Sequence, residues 1–130
     1  MFAMLPITSL YLGLFLIMLT VLAVGVVRVR FSTNTSLGDG GHKTLQKAIR
    51  AHGNATEYVP IIMLGLALLE LAGTGSTLLH VYGSLFLLAR FSHAFGMQHP
   101  NEGNNFRKIG IVLTWLIMLC MGIQLVLGSF

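Results

Sequence analysis

A group of polar side chains on one face of a predicted helix is the first feature of this sequence that could do chemistry. Arg50, Asn54 and Glu57 are spaced by four and then three residues, so they share one face of an α-helix. Lys43 and Lys47 fall on the same stripe, because successive helical residues are rotated by about 100°. One helix face therefore offers cations, an amide and a carboxylate to a common site.

Further basic residues occur in two other apolar segments. Arg90 and His93 are three residues apart and share a helix face, and Arg107 opens the last apolar segment. There its charge adds to the partial positive charge of a helix N-terminus, which stabilises an anion or a thiolate. Glu57 alone cannot neutralise Arg50, Arg90 and Arg107, so the pattern predicts an anionic ligand.

A packing role for the same residues is the alternative that spacing leaves open. Arg50 and Glu57 could neutralise each other across helices, with Asn54 as an interhelical hydrogen-bonding group. His93 could be a histidine that is hydrogen-bonded between helices. Intramembrane polar residues serve both purposes, so the spacing is compatible with a binding site and with a packing role.

The composition determines which solvent surrounds these residues. Of the 130 residues, 55% are hydrophobic and only 9% charged, and the mean hydropathy is +0.80. Soluble domains carry about a quarter charged residues, and disordered chains need low hydrophobicity. A disulfide scaffold needs more than the single Cys120. The composition therefore predicts an integral membrane protein.

Four apolar segments are long enough to cross a bilayer as helices. We expect one domain over residues 1–130, with spans at about 5–27, 43–72, 77–97 and 107–128. The first segment lacks a basic n-region and is longer than a signal-peptide core, so we expect it to be retained. Short connections favour antiparallel neighbours. The predicted fold is all-α, a four-transmembrane-helix antiparallel bundle.

The basic residues predict the orientation of this bundle. The net charge of +4 could suggest nucleic acid, but seven of the eight basic residues lie beside apolar segments and the eighth is within one. They cluster between spans one and two and between spans three and four. By the positive-inside rule both loops are cytoplasmic and both termini outside. We expect no nucleic-acid partner.

Three other features are assigned structural roles. The five histidines include no pair four residues apart and no HExxH, so we expect no metal site. Cys120 lies in an apolar helix, where it is interpreted as a small buried hydrophobic residue. Glu70, at the outer end of span two, is interpreted as an interfacial or capping residue rather than a proton-coupling one.

The polar residues of the second and later segments resemble the motifs of a known family. The string Arg50-x-x-x-Asn54-x-x-Glu57-Tyr58-x-Pro60 is similar to the second-helix signature of the MAPEG family, the membrane-associated proteins in eicosanoid and glutathione metabolism. Arg90-x-x-His93 and Arg107-x-x-Gly110 fall where that family places further basic residues. The resemblance covers essentially the whole chain and is closest to the small bacterial inner-membrane branch.

The resemblance implies a homotrimer that binds glutathione between subunits near the cytoplasmic side of an inner membrane. It assigns glutathione contacts to residues on the second and third helices: Arg50, Asn54, Glu57, Tyr58, Arg90 and His93. Arg107 resembles the arginine that stabilises the glutathione thiolate, and Arg28 or Arg30 would contribute from the adjacent protomer. Two carboxylates suit arginine, an ammonium suits glutamate and peptide groups suit asparagine.

The function implied is a glutathione-dependent transferase or peroxidase that acts on hydrophobic electrophiles. The alternative is a non-catalytic binding or scaffold protein for a glutathione-like anionic amphiphile. Tyrosines that enzymes of this family carry near the thiol are replaced here by Met97 and Ile111, and Lys108 stands where a hydroxyl residue sometimes occurs. A small four-span exporter is a third possibility, although its first span usually carries a carboxylate and this one has no charge.

Overall fold

The computed structural model describes residues 4–130, which form four α-helices. They are α1 (Pro6–Thr33), α2 (Lys43–Leu71), α3 (Ser76–Gln98) and α4 (Asn105–Leu127). No strand occurs in this described range. The prediction of an all-α fold with four helices is confirmed.

The first helix runs further than its predicted span. The apolar segment was expected to end near residue 27, whereas α1 continues to Thr33 and includes Arg28 and Arg30. Hydropathy marks where the run of apolar residues ends, whereas a helix continues as long as its backbone hydrogen bonds form. A basic side chain in the last turn also interacts favourably with the helix dipole. The helix ends at Asn34, whose left-handed backbone (φ 49°) directs its N–H back toward the last turn.

Hydrogen bonds at the helix ends show that neighbouring helices are antiparallel. Glu70, at the end of α2, accepts hydrogen bonds from the backbone N–H groups of Ile7 and Thr8 at the start of α1. Lys47, near the start of α2, donates to the carbonyl of His99, directly after α3. The α1–α2 and α3–α4 loops therefore lie at the same end of the bundle.

The helices are arranged with α2 and α3 in the centre and with α1 and α4 on either side. Phe15 of α1 and Phe86 of α3 are fully buried, and their ring centroids are 4.7 Å apart. Tyr11 of α1 packs directly on the Cα of Gly83, where a Cβ would collide with its ring. The core therefore depends on close helix packing at small residues, as is common in membrane bundles.

The outer surface of the bundle is apolar. Many leucine, isoleucine, valine and phenylalanine side chains of all four helices are exposed, a pattern that suits lipid rather than water. Three helices, α1, α2 and α4, are long and apolar enough to cross a membrane. The remaining helix, α3, has 23 residues, which is also a spanning length. Its hydropathy is lowered by polar residues such as Arg90 and His93, which are buried inside the bundle.

Two side chains outside the polar stripe clarify the sequence interpretation. Cys120 is exposed on α4, so the expectation that it is buried was wrong. In a uniformly apolar helix, hydrophobicity does not say which face turns inward. Glu70 caps the N-terminus of α1, which confirms the capping role and specifies that the capped helix is not its own.

Candidate functional site

The polar stripe of α2 forms an interacting group on one helix face. Arg50 Nη1 lies 3.4 Å from Glu57 Oε1, and both side chains are about half exposed, at 54% and 53%. Asn54 Nδ2 donates to Glu57 Oε2 at 3.4 Å. Arg50 and Glu57 thus pair within one helix rather than across helices, and both remain accessible on the outer surface of the bundle.

Arg90 is the polar centre of the bundle. Its side chain is completely buried, and among residues 4–130 no carboxylate forms an ion pair with it. Nη2 donates to Asn54 Oδ1 at 2.6 Å and Nη1 to Thr114 Oγ1 at 3.3 Å, while Thr114 in turn donates to the carbonyl of Gly110 at 2.8 Å. This chain of hydrogen bonds joins α2, α3 and α4 through neutral acceptors. Asn54 therefore has the interhelical role that the packing interpretation assigned to it.

Tyr58 lies between this arginine and α4. The Cζ atom of Arg90 is 5.4 Å from the centroid of the Tyr58 ring, a cation–π distance. Trp115 Nε1 donates to the Tyr58 hydroxyl oxygen at 2.9 Å. Contacts from two neighbouring helices thus hold the ring.

Two buried polar atoms near this group have no hydrogen-bond partner within the described residues. They are Nε of Arg90 and Nδ1 of His93. Buried polar atoms are normally paired, because an unpaired one loses its hydration without replacement. His93 Nδ1 therefore offers an unused hydrogen-bonding group one turn below the end of α3.

Arg107 is positioned by the close approach of α4 to α3. Asn104 caps α4 by accepting from the Arg107 N–H at 3.1 Å, and its Nδ2 donates to the carbonyl of Gly96 at 2.7 Å. A Cβ on Gly96 would collide with the Arg107 backbone. The Arg107 guanidinium is exposed and donates from Nη1 to the carbonyl of Glu102 at 3.3 Å. The backbone of Arg107 is thus fixed, and its exposed guanidinium has only a backbone carbonyl as partner and no carboxylate among the described residues.

A polar pocket of about 230 Å³ opens at the loop end of the bundle. Its lining comes from α2, α3, α4 and the α3–α4 loop: Gln46, Lys47, Arg50, Gly96, Met97, Glu102 and Arg107. Three cations and one carboxylate line it, so positive charge is in excess. Two larger cavities, of about 390 and 510 Å³, are lined almost entirely by apolar side chains, as expected for grooves on a lipid-facing surface.

The structure thus divides the sequence-predicted site residues into three groups. Arg50 and Arg107 line the pocket together. A second group lies deeper along α2 and α3: Asn54, Glu57, Tyr58, Arg90 and His93.

The third group is at the end of α1, where Arg30 Nη1 donates to the carbonyls of Thr35 and Gly38 in its own loop. Arg28 is exposed. Neither arginine lines the polar pocket.

Three residues that organise the site were not singled out from the sequence. Asn104 could have been found as an N-cap asparagine directly before an apolar helix. Gly96 carries no such signal, because a helical glycine is recognised as a contact point only once its neighbour is known. Glu102 is a loop residue whose place in the pocket depends on how α3 and α4 meet. Within residues 4–130, no three His, Cys, Asp or Glu residues cluster closely enough to hold a metal ion.

Four antiparallel apolar helices with a basic pocket at one end define an integral membrane protein of the helical-bundle class. The MAPEG family model matches residues 8–127, and the chain belongs to this family. The chain is 35% identical over 115 residues to "Inner membrane protein YecN" of Escherichia coli strain K12, covering 88% of this chain and 86% of the relative. The protein of the same name from Escherichia coli O6:H1 matches equally. No solved structure matches at a significant level.

Proposed function

We propose that this protein binds glutathione and is a transferase or peroxidase that acts on hydrophobic electrophiles. The observation that carries the proposal is that Arg50 and Arg107, from two different helices, line one pocket in which cations outnumber carboxylates. Glutathione carries two carboxylates, one ammonium, two peptide groups and a thiol. An excess of positive charge suits its net negative charge, and membership of the MAPEG family supports this ligand.

The residues of the pocket and of the stripe beneath it fit the groups of this tripeptide. Arg50 and Lys47 suit the carboxylates. Glu57, half exposed beside Arg50, suits the ammonium, and the buried His93 offers a hydrogen-bonding nitrogen without a partner. In this proposal Asn54 and Arg90 act mainly as the support that orients Glu57, because Asn54 accepts from Arg90 Nη2 and donates to the Glu57 carboxylate.

Bound glutathione supplies a nucleophilic and reducing thiolate. The task of Arg107 is to stabilise that thiolate with a guanidinium at the first turn of α4, where the helix N-terminus adds its own partial charge. A positive environment lowers the pKa of a thiol, so more of it is ionised at neutral pH. The lipophilic partner arrives from the bilayer, which suits the apolar outer surface of the helices.

The proposal includes an orientation and an assembly. Both basic loops lie at the pocket end of the bundle, so the positive-inside rule places this end in the cytoplasm and both termini outside. The resemblance to the family supports a homotrimer. Arg28 is exposed and makes no contact with its own pocket, which leaves it available to the site of a neighbouring protomer.

The test is to titrate the purified protein with glutathione and to follow thiolate absorbance near neutral pH. We expect a thiolate signal from the wild type, a large loss in Arg107→Ala and partial retention in Arg107→Lys, which keeps the charge. Lys108→Ala is the matched control, because Lys108 is the adjacent cation but does not line the pocket. Absence of the signal in the wild type, or an unchanged signal in Arg107→Ala, would refute the mechanism.

A non-catalytic binding protein is the second candidate, and the lining of the pocket favours it in one respect. None of the lining residues carries a hydroxyl group, whereas Met97 and Ile111 stand where related enzymes place tyrosines. A protein of this kind would bind glutathione, lose that binding in Arg50→Ala, and show no turnover with any electrophile or hydroperoxide offered. Measured turnover that depends on Arg107 would exclude this candidate.

A further inference from the structure

The one carboxylate that lines the basic pocket belongs to the α3–α4 loop. Lys47 Nζ lies 3.7 Å from Glu102 Oε1 and donates to the carbonyl of His99 at 3.1 Å. Arg107 donates to the backbone carbonyl of Glu102 at 3.3 Å. Two cations of the pocket are therefore turned toward one short loop segment, and the Glu102 carboxylate lies beside one of them, Lys47.

The Glu102 side chain is held weakly. It is 62% exposed, and its ion pair with Lys47 is close to the largest separation at which such a pair forms. The Lys47 side chain is less exposed, at 22%, but its ammonium keeps a second partner, the carbonyl of His99, and an ion pair with one largely exposed partner contributes little to stability. The carboxylate can therefore leave Lys47 at small cost when another anion is present.

The loop does not depend on this side chain for its shape. Asn104 binds the carbonyls of Gly96 and Asn101 through Nδ2, and the Asn101 side chain accepts from the Gly103 N–H at 3.0 Å. Arg107 binds the Glu102 backbone rather than its carboxylate. Movement of the Glu102 side chain would thus leave the backbone of the pocket in place.

We infer that Glu102 is an internal counter-anion of the pocket. Its carboxylate pairs with Lys47 when no ligand is bound, and it competes for Lys47 with a carboxylate of the incoming ligand. This inference rests on the proposed function and adds to it a residue that sets affinity. Glu57 differs from Glu102 in this respect, because it pairs with Arg50 along α2 and does not line the pocket. Removal of the Glu102 charge should therefore strengthen the binding of anionic ligands.

The test compares wild type, Glu102→Gln and Asp39→Asn in nanodiscs by calorimetric titration with glutathione and with its diethyl ester. Asp39→Asn is the matched control, because it removes one negative charge from the other loop at the same end, outside the pocket. We expect Glu102→Gln to bind glutathione about two- to fivefold more tightly. The diethyl ester, which lacks free carboxylates, should bind wild type and Glu102→Gln equally.

The remaining outcomes overturn the inference in distinct ways. Unchanged affinity in Glu102→Gln, or an equal gain in Asp39→Asn, would mean that Glu102 does not compete with the ligand. Weaker binding in Glu102→Gln would mean that Glu102 contacts the ligand ammonium directly. If the wild type binds no glutathione at all, the proposed function fails and this inference fails with it.

A second experiment introduces Glu102→Gln into the Lys47→Met variant. There it should have no further effect on glutathione affinity, because the cation for which Glu102 competes is already removed.

Discussion

The carboxylate of Glu70 accepts a hydrogen bond from the backbone N–H of Thr8 at 2.7 Å, across 62 positions of sequence. Its other oxygen accepts from Ile7 at 2.9 Å. The first turn of a helix leaves N–H groups without intrahelical partners, and α1 has neither a side-chain cap of its own nor an acidic residue in that turn. Glu70 therefore supplies from α2 what α1 lacks.

Removal of this cap should destabilise the bundle. We expect Glu70→Ala to lower the free energy of unfolding by about 1–3 kcal/mol, since loss of a charged cap leaves two backbone donors unpaired. Unfolding in mixed micelles, followed by circular dichroism, measures the change. Glu102→Gln is the control, because its side chain is largely exposed. Equal stabilities of the two variants would contradict the capping role.

The contact between Gly96 and the Arg107 backbone should be intolerant of a single methyl group. We expect Gly96→Ala to cost about 1–3 kcal/mol of stability, because the N-terminus of α4 must move away from α3. Gly122→Ala is the matched control, with open space at its Cβ position, and it should be neutral or slightly stabilising because alanine favours helix.

The same pair of variants tests whether this contact positions the pocket. Gly96→Ala should also weaken glutathione binding, since it displaces Arg107 from Arg50, whereas Gly122→Ala should leave the affinity unchanged. Titration calorimetry on both proteins provides the measurement. If Gly96→Ala is destabilised but binds glutathione with wild-type affinity, the contact stabilises the bundle without positioning the pocket.

Asn54 and Arg50 should differ in their contributions to the stability of the bundle, although they share one helix face. Asn54→Ala removes the acceptor of the buried Arg90 Nη2, and we expect a loss of about 2–3 kcal/mol, the cost of an uncompensated buried donor. Arg50→Ala removes an exposed ion pair, and its effect on stability should stay below about 1 kcal/mol. Parallel unfolding titrations distinguish the two, and equal losses would contradict this division.

Trp115 should report on the site through fluorescence. It is the only tryptophan in the chain, and its indole N–H donates to Tyr58. We expect Tyr58→Phe to shift the emission to shorter wavelength, because the indole loses a hydrogen-bond acceptor in an apolar environment. Tyr82→Phe is the control, since the Tyr82 hydroxyl binds Gln124 instead. Matching spectra for wild type and Tyr58→Phe would exclude the Trp115–Tyr58 bond.

Much of the fold followed from local sequence properties. Apolar segment lengths predicted four helices, and the charge-free runs at residues 5–27 and 109–128 separated membrane segments from loops. The spacing of Arg50, Asn54 and Glu57 predicted their common helix face, because helical periodicity is a property of the chain itself. The bonds between Asn54 and Glu57 and between Arg50 and Glu57 agree with that geometry.

Partners on other helices could not be predicted in this way. Nothing in the local sequence indicates that Asn54 binds Arg90 rather than a ligand, or that Glu70 caps α1. Cys120 was placed on the wrong side of α4, because a helix that is apolar all round carries no mark of its inward face. The role of Glu102 arises only where α2, α3 and α4 meet.

The amino-acid sequence by itself determined the solvent, the number of helices and the clustering of positive charge at one end, because each follows from side-chain transfer energies and short-range periodicity. The tertiary structure decided which cations meet in a pocket and which are already bound. That decision depends on the rotation and separation of packed helices, set by contacts such as Gly96 against Arg107 and Gly110 against His93. Residues far apart in sequence acquire their roles only through this packing.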